Sequence, residues 1–468
     1  MVVTTQTVRP TQGGILQVQA SHGLQPVFDD PNLVSAAGLP AVLNLADTAG
    51  LTDLLDEHLS VPAPSATVKT RTLLAGMLAG ADDIDGMDIL RAGSNPAVLG
   101  EVRAPSTLGT FLRSFTHGHA LQLGRINRRL LSRLSALLPS LVGEGLVLVD
   151  LDDTIRQTHG YQKQGAAYGY NKTKGLNAMV AAISTKNSAP LITAAGLRRG
   201  NIRSGANAGW HASRALTQAS DMAPGQQKLL RADSAFCTHE TVAAAQQARA
   251  WFSITIPAWP TVTRAISQIP ETDWAPIHYT NAVWDDEARA WISDAEVAEI
   301  GFTAFTSRRK AEHVSCRLVV RRVKRLGQSP AGQGGLFETY RYHAFITNST
   351  LPVTEADRTH RHHAVIEQVI AELKGGPLAH LPSGKFGANQ AWLGLAVLVF
   401  NLSRATAHAA GMPTARIPTI RETLISLPGR IARRARRLVL HLPEAWPWEH
   451  QWTRLWNTAT SPPPATTS

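Results

Sequence analysis

The chain has 468 residues, with 46 Lys and Arg against 35 Asp and Glu and a formal net charge of +11. It is too long for one compact core, and its charge points to a polyanionic partner, nucleic acid before an acidic membrane surface. A hydrophobic share of 44% leaves no shortage of core, and two cysteines, Cys237 and Cys316, give no disulfide framework or zinc site and suit a reducing cytosol.

Residues 1–30 start polar, without the basic-then-apolar run of a secretory leader, and read as a flexible tail with one short strand at Gly14–Val18. Over residues 31–140 apolar positions recur three and four apart, as in Leu73, Leu74, Met77 and Leu78 or Leu108, Phe111 and Leu112. That spacing predicts a helical N-terminal domain, with Ser106 and Thr107 offering an N-cap after Pro105. Arg125–Arg133 is a basic helix that either covers a bundle as a solvated face or contacts DNA.

The character changes at Gly145. Leu146–Val149 is a buried strand running into Asp150, Asp152 and Asp153, and alternation puts Asp150 and Asp152 on one face with Asp153 on the other. Strand-like runs follow at Ala178–Ser184 and Pro190–Gly196, then the basic loop Arg198–Asn201 and a helix over Ala212–Ala219. Lys228–Ser234 is a short strand that again ends in an acid, Asp233, before helix Glu240–Arg249 and strand Trp251–Ile256. Residues 141–256 are thus α/β, with acids along one sheet edge.

Residues 257–340 break the rhythm. Trp259, Trp274, Trp284 and Trp291 sit among short β-like stretches, and Ser315–Leu326 holds Arg317, Arg321, Arg322, Lys324 and Arg325. This predicts an inserted β-rich subdomain with a basic face, after which strand Tyr342–Ile346 returns to the α/β domain, residues 341–410. A helix over 356–374 carries Glu367 and Lys374 two turns apart, with His363 and His360 on the same face. A metal site of His360, His362 and His363 is disfavoured, because adjacent positions diverge around a helix. A long apolar helix over Ala388–Ala407 follows. Residues 411–468 form a basic, helical C-terminal region with the stripe Gly429–Arg437, including Arg433 and Arg434, then Trp446, Trp448, Trp452 and Trp456, and a low-complexity end from Pro462.

Acids at the ends of two strands and on a later helix suit hard divalent cations, which take oxygen ligands from several chain segments and support phosphoryl transfer. Two other readings of the first strand stay open: an acidic turn that only ends it, and the Asp-x-Asp-x-Thr motif of haloacid-dehalogenase-type phosphatases, with Asp150 as nucleophile.

The chain resembles a DDE transposase of a bacterial insertion sequence, of the insertion sequence 1380 family, and is similar to the wider insertion-sequence-4-like transposases. The resemblance runs from Gly80-Ala81-Asp82-Asp83-Ile84 to Leu427-Pro428-Gly429-Arg430 and is most specific at Asp152-Asp153-Thr154, Arg231-Ala232-Asp233-Ser234-Ala235-Phe236, and Ile366-Glu367 with Ala371-Glu372-Leu373-Lys374. The last region is similar to a signature of Tyr, two residues, Arg, three residues, Glu, six residues, Lys, with His360 and His363 standing in the Tyr and Arg places. The resemblance implies an RNase-H-like catalytic domain interrupted by the β-rich insertion, and a triad of Asp152, Asp233 and Glu367 holding two Mg2+ ions, with Mn2+ as an alternative. It also implies DNA contacts by Lys374, His363 and His360, and a homodimer on terminal inverted repeats and target DNA in the bacterial cytoplasm. Arg321, Arg322, Arg433 and Arg434 are the expected phosphate contacts, and Trp259 the candidate to hold a flipped base at a hairpin end. A histidine on a phosphate gains from its charged form, so His360 and His363 are expected to make DNA binding pH-sensitive, His360 more than His363. A transposase-derived DNA-binding protein without cleavage is the remaining alternative.

Overall fold

The computed structural model of the chain describes residues 26–159, 162–169, 172–277, 283–285, 290–292, 295–324 and 340–461. The strand expected at Gly14–Val18, Arg325 and the segment from Pro462 lie outside the described residues.

A large mixed sheet organises the chain. Its first strand, β1 (Val147–Gln157), pairs antiparallel with β2 (Lys174–Ser184), which pairs antiparallel with β3 (Leu191–Arg199). On its other edge β1 pairs in parallel with β4 (Lys228–Ala232), and β4 in parallel with β5 (Trp251–Thr255). Strand β2 is buried from Gly175 to Ser184, as a strand covered on both faces must be, which is why Ala178–Ile183 is a continuous apolar run. The order β3–β2–β1–β4–β5, flanked by helices, is consistent with an RNase-H-like core.

The insertion joins this same sheet. Strands β6 (Ala295–Ala304), β7 (Val314–Lys324) and β8 (Tyr340–Thr347) extend it in the order β5–β8–β7–β6, all antiparallel. The register Trp284 opposite Trp291 belongs to a separate pair of antiparallel strands.

Helices cover both faces. The basic helix is α1 (His117–Leu137), which buries Leu123, Ile126, Leu130 and Leu134 and turns Arg125, Arg129 and Arg133 outward. Helix α2 (Ala208–Met222) seats His211 against Gly196 of β3, on the sheet face where Asp153 points. Helix α3 (Val353–Arg361) and helix α4 (Val365–Lys374) follow β8, and α4 lies on the opposite face of β1, with Lys374 at Thr154. Helix α5 (Phe386–Ala409) is long and apolar enough to cross a bilayer, yet most of its apolar stretch is enclosed by protein. A buried polar pin fixes it: Asn401 accepts from the Ile192 amide at 2.8 Å, donates to the Ile192 carbonyl at 2.8 Å, and donates to Asn127 of α1 at 2.8 Å. Paired in this way, the amides cost little to bury and set the register of α5 against β3.

Two local expectations change. The helix after Ala104 begins at Pro105 itself, with no side-chain cap from Ser106 or Thr107, because proline at the first helical position lacks only an amide that would have no partner. The basic C-terminal stripe is not helical: β9 (Gly429–Arg434) and β10 (Arg437–His441) form a hairpin through Ala435 and Arg436, both at positive φ, and β9 also pairs with Leu33–Val34. Helix Glu449–Thr460 closes the described chain.

Candidate active site

The parallel register of β1 and β4 sets Asp150 beside Arg231 and Leu151 beside Ala232. One step further, past the end of β4, it carries Asp152 alongside Asp233. Asp233 accepts a hydrogen bond from the Ala235 amide at 2.8 Å and caps the turn Ser234–Phe236, so its carboxylate is fixed where the strand stops. Asp152 accepts from the Asp153 amide at 2.7 Å. Burial, with the like charges of Asp233 and Asp153, pushes the Asp152 carboxyl up to about 6, despite that amide and His363. Asp233 is raised too, first by burial and then by Asp153.

Beneath this pair lies a buried ionic group. Arg231 is fully buried and grips Asp150 with two parallel bonds, Nε to Oδ1 at 2.7 Å and Nη2 to Oδ2 at 2.8 Å. His363 Nδ1 stands 2.9 Å from the same Oδ1. Burial opposes ionisation of Asp150, but the Arg231 charge and the His363 contact outweigh it and hold the carboxyl below its usual range. With both oxygens engaged and 1% exposure, Asp150 is an anchor and not an available nucleophile.

The helix expected over 356–374 is interrupted. A 3₁₀ turn, His362–Ala364, separates α3 from α4, and the Thr359 carbonyl accepts a hydrogen bond from Arg231 Nη1. The tighter turn shifts bonding from the fourth to the third residue and rotates the two helices relative to each other. His360 and His363, three residues apart across this turn, both face the sheet, where the register sets Asp150, Arg231 and Ser253 side by side. His360, in place of a phosphate contact, is set between Ser253 Oγ at 2.8 Å and Thr255 Oγ1 at 3.0 Å and stacks on Phe345 at 4.0 Å. Burial, then the charges of His363 and Arg231, push it down to about 3, so it is neutral in the physiological range.

Glu367 lies one turn after His363 on α4, and Lys374 two turns further, where its Nζ donates to Thr154 Oγ1 at 3.1 Å. With His363 tied to Asp150 and Lys374 to Thr154, α4 runs along β1, and the position between them on the strand is Asp152. Glu367 is exposed and has no hydrogen-bond or ion-pair partner among the described residues.

Behind the site, Asp153 points to the other face as alternation requires. It accepts from Arg198, from Asn177 at 2.9 Å and from Ser204 at 3.1 Å. Motif reading gave Arg231 and Arg198 no separate roles. Arg231 faces an acid in register on the next strand, a signal visible only once the pairing is known.

The expected DNA contacts scatter. Arg322 is 5% exposed, bonded to Glu271 and Glu296, with its guanidinium 4.3 Å from the Trp274 ring, so its charge is neutralised inside the insertion instead of facing a phosphate. Arg321 Nε lies 3.9 Å from Asp357. Arg433 and Arg434 are exposed near the tip of the C-terminal hairpin. Trp259 is 37% exposed and precedes helix Pro260–Ile266, four residues beyond the end of β5.

As donors, Asp152, Asp233 and Glu367 fit a hard dication: all are oxygen ligands, two are raised by burial and then by neighbouring carboxylates, which such a charge offsets, and the third has no partner among the described residues. Among the described residues, no group of three His, Cys, Asp or Glu side chains is drawn to ligating distance.

Asp152 partway along β1, Asp233 just past the end of the parallel strand β4 and Glu367 on a helix across them form an oxygen-donor set on one face of a mixed α/β sheet. Residues 17–460 match the family described as Transposase DDE domain group 1, and the chain belongs to that family. No curated protein matches it.

Proposed function

We propose that the protein is the DDE transposase of a bacterial insertion sequence of the 1380 type, with an RNase-H-like catalytic core. It cuts DNA at terminal inverted repeats and joins the freed ends to target DNA as a homodimer in the cytoplasm. The observation that carries this reading is the placement of Asp152 beside Asp233 under a helix that brings Glu367 along the same strand, in a chain matched to a DDE family over nearly its whole length. Asp152, Asp233 and Glu367 would hold two Mg2+ ions, or Mn2+, which supply charge neutralisation and Lewis acidity to phosphoryl transfer when bound. The chain's own residues order the rest. Asp150 and Arg231 fix His363 at the rim, and Thr154 orients Lys374, so that an imidazole and an ammonium flank the triad and face the DNA backbone. Water attacks first at the transposon end, and the freed 3′-hydroxyl then attacks the target.

Asp152→Asn, Asp233→Asn and Glu367→Gln are each expected to abolish Mg2+-dependent nicking of a labelled transposon end, with end binding retained. Any of them that still nicks is not a ligand. The wider spacing of the three carboxylates favours, as a second reading, a family member that binds DNA without cutting it. Wild-type protein that binds the inverted repeat but never nicks it with Mg2+ or Mn2+ would establish that alternative.

A further inference from the structure

At the edge of the sheet, α1, α2, β3 and α5 enclose a cavity of about 440 Å³, within the range of roughly 300–1,000 Å³ usual for small-molecule sites. Its walls are apolar, from Leu121, Leu197, Leu393 and Val397. An aromatic stands beside it: Trp210, 45% exposed, with the Arg214 guanidinium 4.4 Å from its ring. His211, 4% exposed, also lines the cavity, and its Nδ1 has no hydrogen-bond partner.

The rim is cationic. Arg128 and Arg214 line the cavity, and Arg125 adjoins them in a groove that continues past Arg129 and Arg133. Arg125 and Arg214 have no carboxylate partner among the described residues, and the one acid in the groove, Asp221, forms no ion pair there. Burial, then the charges of Arg214 and Arg125, push Arg128 down to about 10. Guanidiniums gathered against their own repulsion suit an anion.

We propose that this cavity is a nucleotide pocket that takes an unpaired base of DNA, stacked on Trp210 with its edge at His211, while Arg125, Arg128 and Arg214 hold the adjoining phosphates. Flat aromatic stacking beside a basic track is how single strands are held without sequence preference. The pocket lies at β3, with β2 between it and β1, so the base it takes is not at the bond being cut. It is a second hold on the DNA, and Arg198, which lines it, reaches Asp153 next to Asp152. The proposal rests on the protein acting on DNA.

The test uses the full chain without divalent metal and a duplex with a short single-stranded overhang carrying one 2-aminopurine. Binding is expected to quench the 2-aminopurine. Trp210→Ala, at a half-exposed position where folding is preserved, should abolish the quench and weaken binding about tenfold. Arg125→Ala with Arg214→Ala should lower the salt slope by about 0.7 for each phosphate no longer neutralised. An overhang with an abasic site that binds as well as the base-bearing one, or a quench unchanged in Trp210→Ala, overturns the pocket. Free dAMP binding as tightly as the overhang would make the ligand a free nucleotide and overturn the DNA assignment. Asp152→Asn should quench like wild type, so failure of the cleavage reading is seen separately from failure of this one.

Discussion

At the residue scale, the arrangement turns on Asp150 and Arg231, which the sequence presents as neighbours of motif residues and the sheet register makes a buried pair. Removing one partner leaves an uncompensated charge in the interior. Arg231→Met is therefore expected to cost about 3–5 kcal/mol in urea unfolding. The double variant Asp150→Leu, Arg231→Met should recover most of that loss yet still cut poorly, because His363 loses its anchor. An Arg231→Met protein within about 1 kcal/mol of wild type would show that the pair carries little stability. The histidines bear on pH differently from the expectation for a phosphate contact. Burial pushes both His211 and His360 down to about 3, so between that value and the ordinary value near 6.5 the unfolded chain binds more protons than the folded one. Their contribution is fully present above pH 6.5 and is lost as pH falls toward 3, with a slope of at most about 1.4 kcal/mol per pH unit for each. His360→Gln should flatten the acid limb of a stability–pH curve, and an unchanged limb would mean that the ring protonates freely.

At the scale of elements, the strands and their terminal acids were legible, and two features were not. Asp152 and Asp233 could be read because an apolar run that stops at an acid has few explanations; β4 does end just before Asp233, whereas β1 runs on past its acids to Gln157, so there the apolar run stops but the strand does not. The break at His362–Ala364 leaves no mark in the periodicity, since one 3₁₀ turn shifts the phase too little to notice over two short helices. Its cause is a long-range hydrogen bond from Arg231 to the Thr359 carbonyl. Glu367 and Lys374, both on α4, keep the expected relation, and His360 bonds Ser253 and Thr255 on the sheet-facing side that it shares with His363. The basic hairpin was hidden by arginine, a good helix former, and by a turn without the usual Asn-Gly. Ala435 and Arg436 adopt its left-handed conformation at some cost. The signal was there in Leu438-Val439-Leu440, an aliphatic run with strand propensity placed two residues beyond the turn.

At the scale of the molecule, the insertion is not a separate body hung on the catalytic core. Strand β8 pairs with β5 on one side and β7 on the other, so the backbone ladder is continuous from the acid-bearing strands to β6. The side chains repeat this continuity. Leu318 and Val320 of β7 and Ala298 of β6 belong to the same hydrophobic cluster as Val149, Phe252 and the N-terminal helices. Val319 and Val297, pointing the other way, form a small second cluster with Phe345 and Ala356 under α3. Opening the insertion alone would expose both clusters and strip β8 of a partner. The strands from β1 to β7 should therefore open as one cooperative unit, although a chain of this length ordinarily unfolds in stages. Native-state hydrogen exchange is expected to give amides of β7 and β8 opening free energies close to those of β1 and β4. Exchange from β7 and β8 several kcal/mol easier than from β1 would overturn this and make the insertion an independently opening unit. The distinction bears on the site, because Ser253 and Thr255 of β5 hold His360, and α3 leads from β8 into the helix that carries Glu367. An insertion rigidly continuous with β5 keeps Glu367 in fixed relation to Asp152 and Asp233, whereas one that opened alone would carry α3 away from the strands.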